Sequence, residues 1–135
     1  MTPSPPDADP APLDRTLVDW ETAGWQSLVD GTARAYWRDR LAPDAVVVLP
    51  GGGLARSVVA GADALDRISG STWAWFQLRA PQATRLGQGA VAITYRIVAR
   101  RDFDVEYRAV VTSTWVRDES DPDTWRLALH QQTPV

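Results

Sequence analysis

The stretch that decides the fold is VAITYRIVARR, Val91–Arg101, which is followed by two further strand-like runs, Val105–Arg117 and Trp125–Thr133. In each run apolar side chains recur at every second position, and most of the charged side chains occupy the positions between them. This period of two is typical of antiparallel strands that have one face in the core and one face in water. The short polar segment Asp102–Asp104 predicts a hairpin between the first two runs, with Arg100 opposite Glu106.

The alternation also predicts which residues of these strands face the core. They are Val91, Ile93, Tyr95 and Ile97 in the first run, Val105, Tyr107, Ala109, Val111 and Trp115 in the second, and Trp125, Leu127 and Leu129 in the last. His130 has the opposite parity from Leu127 and Leu129. We therefore expect His130 to lie on the outer face of the sheet, as a structural residue at an interface, unless a bulge in the last strand turns it inward.

The first half of the chain predicts helices. Apolar residues recur at helical spacing from Leu13 to Asp30, a second helix is predicted over Ala33–Leu41, and a third over Ala62–Ser69. Shorter strands are predicted over Ala45–Leu49, Arg56–Ala60 and Trp73–Leu86, the last with an edge or a bulge at Pro81. The predicted fold class is α+β, with about three N-terminal helices packed on a mainly antiparallel sheet of four to six strands.

Residues 1–12 contain five of the ten prolines of the chain. Because proline lacks a backbone donor and fixes φ, this segment is predicted to be a disordered tail. Residues 13–135 are predicted to form a single domain, which is long enough to bury a real core.

Composition excludes several kinds of chemistry. The chain has no Cys, no Lys and a single His, so a Cys-ligated or multi-His metal site, a thiolate nucleophile and a lysine Schiff base are not expected within one chain. The net charge of −3 argues against nucleic acid as a partner. No apolar run is long enough for a membrane span, and the first residues lack a signal pattern, so a cytoplasmic location is expected.

The order of elements, together with three local segments, resembles the SnoaL-like branch of the nuclear-transport-factor-2-like superfamily. The segments are Val48–Gly53, Ala92–Arg96 and the terminal run from Trp125 to Pro134, which contains His130-Gln131-Gln132-Thr133. The resemblance implies a cone of helices on a strongly curved sheet, an apolar pocket inside the cone, and a homodimer formed through the sheet face. The superfamily includes isomerases, cyclases, dehydratases and epoxide hydrolases as well as non-catalytic binding domains, so fold alone does not choose a function.

The catalytic positions of the ketosteroid isomerases in this superfamily can be compared with the matching positions of this chain. Their tyrosine donor falls on Trp25, their general base on Leu49, and their protonated aspartate near Ser113. None of the three roles is filled: Trp25 offers only a weaker N–H donor, and Leu49 cannot be the positioned base that proton abstraction from carbon needs. The resemblance therefore implies a chain without the acid–base set of those isomerases.

Aromatic residues dominate the predicted pocket, because the chain has seven tryptophans. The residues expected to line the pocket are Trp20, Trp25, Trp37, Leu49, Trp75, Tyr95, Ser113 and Trp115. His130 and Asp44 are the candidate catalytic residues. No metal or cofactor is expected, and the carboxylates Asp102, Asp104 and Glu106 are interpreted as a charge-paired hairpin.

Two functions stay open from the sequence. One is a domain that binds a small apolar molecule without catalysis, as a homodimer with no nucleic-acid or membrane partner. The other is a small-molecule enzyme of cyclase, isomerase or hydrolase type that acts on an apolar, polyketide-like or aromatic substrate. An ionisable side chain inside the cone with a perturbed pKa would favour the enzyme.

Overall fold

The computed structural model describes residues 10–50, 58–102 and 105–135. Within these residues the elements are α1 (Pro10–Asp30), α2 (Ala33–Arg38), β1 (Leu41–Val48), β2 (Val58–Ala60), α3 (Ala62–Ser69), β3 (Trp75–Gly87), β4 (Ala90–Arg100), β5 (Tyr107–Arg117) and β6 (Trp125–Pro134). The strands form one sheet in the order β2-β1-β6-β5-β4-β3. The α+β prediction of three helices on a mostly antiparallel, curved sheet is confirmed.

Helix α1 begins at Pro10, three residues before the predicted start at Leu13. Proline is tolerated in the first turn of a helix because its missing N–H would have no partner there. Most of the segment predicted as a tail, residues 1–9, lies outside the described part of the chain. None of the described helices is long and apolar enough to cross a membrane.

Strand β6 lies in the middle of the sheet, between β1 and β5. It pairs in parallel with β1 and antiparallel with β5. Helix α2 stops at Arg38 and β1 starts at Leu41, earlier than predicted, because Leu41 pairs with Leu127 before the register shifts around Pro43. This arrangement places both neighbours of His130, Val47 on β1 and Ser113 on β5, in the buried layer.

Two bulges shape the sheet. The edge strand β3 shifts register between Arg79 and Gln82, and Ala80 has a φ of 51°, which confirms the predicted bulge at Pro81. In β6, Leu127 pairs with Trp115 whereas Leu129 pairs with Thr114, so Ala128 is an extra residue in the ladder. A bulge in the last strand reverses the parity of every residue that follows it.

The bulge at Ala128 corrects two predictions. Leu129 shares the parity of Thr114 and is only partly buried, so it does not continue the core face of Trp125 and Leu127. His130 is buried, with 3% of its surface exposed, and pairs with the fully buried Ser113. The prediction that His130 lies on the outer face was wrong, because simple alternation does not account for one inserted residue.

The core lies between the helices and the inner face of the sheet. Leu17 and Leu28 of α1, Trp37 of α2 and Ile68 of α3 are buried against inward residues of the central strands. The inner residues of β4 and β5 follow the predicted parity at Val91, Ile93, Tyr95, Ile97, Ala109, Val111 and Trp115. One region between the helices and the sheet is not filled by side chains and forms a cavity.

Candidate functional site

The cavity has a volume of about 370 Å³. This lies within the range of about 300–1,000 Å³ that is typical of small-molecule sites. It opens between α1, α3 and the ends of β1 and β4. Its lining consists of Glu21, Gly24, Trp25, Leu28, Trp37, Leu49, Pro50, Arg67, Ile68, Ser71, Trp73, Arg101, Val105, Tyr107, His130 and Gln132.

Glu21 is the acidic residue of this lining, and its position on α1 explains why it is buried. It lies four residues after Leu17 and four before Trp25, so it occupies the apolar stripe that α1 turns toward the sheet. Only 1% of its surface is exposed. A carboxyl group in such a place needs hydrogen-bond donors around it.

Three side chains on the sheet donate to the Glu21 carboxylate. The Tyr95 hydroxyl lies 2.7 Å from Oε1, the Ser113 hydroxyl lies 2.8 Å from the same oxygen, and the Trp115 indole Nε1 lies 3.0 Å from Oε2. The Trp25 indole Nε1 in turn donates to the Tyr95 hydroxyl at 2.9 Å. We call Glu21, Tyr95, Ser113 and Trp115 the carboxylate cluster.

Burial raises the pKa of Glu21 above its usual 4.5, and the hydrogen bonds from Tyr95, Ser113 and Trp115 oppose that rise. Burial, together with the neighbouring Glu21 carboxylate, raises the pKa of the Tyr95 hydroxyl well above 10. Tyr95 therefore stays protonated and acts as a donor. The charge that the cluster can gain or lose belongs to Glu21.

His130 joins this cluster through Ser113. Its Nδ1 lies 2.8 Å from the Ser113 hydroxyl and 4.0 Å from Glu21 Oε1, and its Nε2 lies 3.0 Å from the amide nitrogen of Gln132. Burial lowers the pKa of His130 from 6.5 to about 4. At neutral pH the imidazole is therefore uncharged.

The hydrogen bonds around His130 define its tautomer. The Tyr107 hydroxyl donates to the side-chain oxygen of Gln132 at 2.8 Å, so the amide nitrogen of Gln132 is the atom that faces His130 Nε2. Because that nitrogen is a donor, Nε2 accepts and the ring proton is on Nδ1. His130 thus donates to Ser113, and Ser113 donates to Glu21, which forms a continuous path for a proton.

Six of the eight predicted pocket residues lie in the cavity lining or directly behind it. Trp25, Trp37 and Leu49 line the cavity. Tyr95, Ser113 and Trp115 lie behind the lining, where they hold Glu21. Trp20 is partly buried against the core beside Trp115, with ring centroids 5.4 Å apart, and does not belong to the lining.

Trp75 and Asp44 do not reach the cavity. Trp75 has 45% of its surface exposed, and Trp73 occupies the lining in its place. Asp44 is exposed on β1. Of the two candidate catalytic residues, the structure brings only His130 to the cavity.

Glu21 was missed by the sequence analysis, although a signal for it exists. The helical stripe of α1 runs through Leu17, Trp20, Gly24 and Leu28, and Glu21 lies within the arc that these residues span. A charged residue inside an apolar stripe either ends the buried face or has partners across the core. The partners here come from β4 and β5, which are more than 70 residues away in the chain.

Comparison with known proteins identifies the fold. No protein-family model matches the sequence, and no curated protein sequence matches it. Solved structures do match. A proposed dehydratase of the NTF2-like family from Streptomyces avermitilis aligns with a TM-score of 0.65 and 22% identity, over 97% of this chain and 99% of that one.

Two further structures resemble the chain at lower identity. A proposed ketosteroid isomerase from Parabacteroides distasonis has a TM-score of 0.69 at 13% identity, over 88% of this chain and 85% of that one. The CaMKII hub from S. rosetta has a TM-score of 0.70 at 15% identity, over 99% of this chain and the whole of that one. The chain therefore has the cone fold of the nuclear-transport-factor-2-like superfamily.

Proposed function

We propose that this protein is a small-molecule enzyme of the SnoaL-like branch that transfers protons on an apolar substrate inside the cone. The observation that carries this proposal is the buried Glu21 carboxyl in the cavity lining, linked through Ser113 to His130. Glu21 is the acid–base group, and His130 and Ser113 are positioning residues. The reaction class is isomerisation or dehydration, the two activities that are suggested for similarly folded proteins.

The raised pKa of Glu21 suits this role. A general base works best when its pKa lies close to the working pH, because it is then both available and basic. An exposed glutamate at pH 7 is a weak base, whereas a buried one binds a proton more tightly. Burial is the main cause of the shift here.

The chemistry needs no other reactant. In an isomerisation the Glu21 carboxylate takes a proton from one carbon of the substrate and returns it to another. In a dehydration it takes the proton from carbon and returns it to a hydroxyl group that leaves as water. In both cases Glu21 ends the cycle as it began, and the donors Tyr95, Ser113 and Trp115 hold it in one geometry throughout.

A second function is favoured by a specific observation. Both oxygens of Glu21 and both ring nitrogens of His130 already have protein partners. A network in which every polar atom already has a hydrogen-bond partner can equally well support a bound ligand without catalysis. A non-catalytic domain that binds an apolar molecule is therefore the alternative.

Hydrogen exchange at an activated carbon separates the two functions without knowledge of the substrate. β-Tetralone is an apolar bicyclic ketone whose α-protons exchange with solvent when a base removes them. In D₂O we expect the protein to accelerate loss of these proton signals, and Glu21→Gln to reduce the acceleration by about 100-fold or more. Proton NMR measures both rates.

Asp44→Asn is the matched control, because it removes an exposed carboxylate from the same domain. It should exchange β-tetralone at the wild-type rate. If the protein binds β-tetralone without accelerating exchange, or if Glu21→Gln exchanges it as fast as wild type, the enzyme is rejected. The binding function then stands.

The pH dependence of exchange gives an independent check. Only the ionised carboxylate can accept a proton, so the rate should rise as pH increases through the raised pKa of Glu21. His130 is uncharged above about pH 4 and adds no limb near 6.5. A limb near 6.5 that vanishes in His130→Asn would instead make the imidazole the base.

We also propose that two copies associate through the outer face of the sheet. Val110 on that face has 38% of its surface exposed, and Val116 on the same parity of β5 is partly buried. Exposed apolar side chains on an otherwise polar face are typical of an interface. Light scattering at micromolar concentration should report a dimer, and Val110→Arg should shift it toward monomer.

A cytoplasmic location stays an expectation from the sequence.

A further inference from the structure

We propose that the cavity binds an organic acid, whose carboxylate is held by Arg67 and Arg101 while its apolar body extends toward Glu21. This inference rests on the proposed function only for the place of the ligand, inside the cone. It adds the chemical class of the ligand and the residues that select it.

Arg67 is held in place by one hydrogen bond, but another of its donor groups has no partner among the described residues. It lies in the last turn of α3, where its Nη2 donates to the backbone oxygen of Pro50 at 2.9 Å. Its Nε is buried and has no hydrogen-bond partner among the described residues. A buried donor without a partner is uncommon in proteins and indicates a group that a ligand can satisfy.

Arg101 is held in a similar way by different contacts. Its Nε donates to the backbone oxygen of Thr72 at 3.1 Å, and its guanidinium carbon lies 4.3 Å from the ring centroid of Trp73. Stacking on an indole orients the planar guanidinium and leaves its terminal nitrogens at the edge. Within the described part of the chain neither Arg67 nor Arg101 forms a salt bridge.

Both arginines line the cavity, and Arg101 is anchored to the segment that follows Arg67. The backbone oxygen that anchors Arg101 belongs to Thr72, which follows Arg67 by only five residues in the chain. Ser71, between them, also lines the cavity. Two guanidinium groups therefore line the same cavity, and a carboxylate is the ligand group that matches guanidinium donors.

The rest of the lining suits an apolar body. Trp73 stacks on Tyr107 with ring centroids 5.4 Å apart, and Trp25 lies 6.2 Å from Trp73. These rings form an aromatic wall, and Arg101 stacks on one of them, Trp73. The only acid in the described lining is Glu21, which its own three donors already occupy, so it does not neutralise the two guanidinium groups.

A second buried donor points to another oxygen on the ligand. Trp37 is 3% exposed and lines the cavity, and its Nε1 has no hydrogen-bond partner in the described residues. Trp115, which lies 6.2 Å away from it between ring centroids, has its own Nε1 satisfied by Glu21. A carbonyl or hydroxyl oxygen on the body of the acid would give Trp37 the partner it lacks.

The test compares naphthylacetate with naphthylacetamide, which have the same aromatic body but differ in charge. Isothermal titration calorimetry should show that the acid binds at least about tenfold more tightly than the amide. Arg67→Gln and Arg101→Gln should each weaken binding of the acid by about tenfold and leave binding of the amide within about twofold. Arg79→Gln removes the same charge from an exposed site outside the cavity and should change neither.

Three results would overturn the inference. They are equal affinity for acid and amide in the wild type, an equal loss of acid affinity in Arg79→Gln, and failure of both probes to bind. The outcome is separable from that of the proposed function. Exchange of β-tetralone that depends on Glu21, without any preference for the acid, rejects only the carboxylate site. A preference for the acid that depends on Arg67 and Arg101, without exchange, rejects only the enzyme.

Discussion

Glu21 in the cavity and Glu106 in the hairpin between β4 and β5 carry the same carboxyl group, yet their pKa values shift in opposite directions. Burial raises the pKa of Glu21. Hydrogen bonds from Arg100 and then Arg108 lower the pKa of Glu106. Neutral donors surround the first carboxylate, whereas cationic donors surround the second, with nitrogen–oxygen distances of 2.8 and 2.6 Å.

The difference shows how the environment assigns a role to a carboxylate. Glu106 is stabilised as an anion at the surface, so it stays charged and can only pair with cations. Glu21 lies where its charge is costly, so its carboxyl group holds a proton more tightly than an exposed glutamate does.

The largest effect is expected from removing the indole of Trp115, which packs beneath Glu21. Trp115 is fully buried and donates to Glu21, so Trp115→Ala should lower the free energy of unfolding by about 3–5 kcal/mol. Trp75→Ala removes the same side chain from an exposed site and should cost less than about 1 kcal/mol. Urea unfolding measures both free energies. Equal losses in the two variants would contradict the difference between the buried and the exposed tryptophan.

The next effect concerns the acid side of the stability profile. The unfolded imidazole of His130 takes up a proton below about pH 6.5, whereas the folded one resists until about pH 4. The unfolded state therefore binds more protons in this window, and stability falls as pH decreases from 6.5 to 4, by up to about 3 kcal/mol.

His130→Asn should remove that loss, and because His130 is the only histidine in the chain no other imidazole contributes. Thermal unfolding at several pH values compares the two proteins. Carboxylates such as Asp118, whose pKa the hydrogen bond from Arg126 lowers, contribute equally to both. Parallel profiles for wild type and variant would show that the imidazole of His130 has the same pKa in the folded and unfolded states.

A smaller effect is expected where α1 passes over Trp37. A Cβ placed on Gly24 would lie 2.2 Å from a ring carbon of Trp37, so Gly24→Ala must displace that indole. We expect a loss of about 1–3 kcal/mol and weaker binding of naphthylacetamide. Gly89→Ala, whose Cβ would meet its nearest atom at 3.9 Å, is the control and should leave binding unchanged. If both variants bind alike, Trp37 does not shape the cavity.

The smallest effect is expected at the hairpin. Glu106→Gln breaks two salt bridges at the surface, where water screens charges and surface pairs contribute little. Any loss of stability should be present at neutral pH, fade as pH falls below the usual range of a glutamate, and disappear in high salt. A loss that persists in high salt would show that Glu106 is more than a solvated partner of Arg100 and Arg108.

Much of the fold could be predicted from local patterns. Helix α3 starts and ends at the predicted residues, Ala62 and Ser69, and most inward residues of β4 and β5 follow simple alternation. The prediction was wrong for Val105, which lies before β5 and is exposed. Arg100 and Glu106 pair as the hairpin predicted. These features depend on neighbours in the chain, so the sequence carries them directly.

The candidate site could be predicted only in part. Trp25, Trp37 and Leu49 were expected in the pocket and line it. His130 was expected outside because nothing in the strand from Trp125 onward marks Ala128 as the inserted residue. Glu21 was overlooked because helical spacing shows that a position faces inward without showing what lies across from it.

The sequence by itself determined the α+β class and the hairpin, since both follow from composition and short-range periodicity. Only the tertiary structure decided that the carboxyl of Glu21 meets donors from β4 and β5, and that His130 turns inward beside Ser113. The physical reason is that burial, which raises one pKa and lowers the other, is produced by strands far away in the chain. One extra residue in β6, Ala128, reverses which of the following side chains are buried.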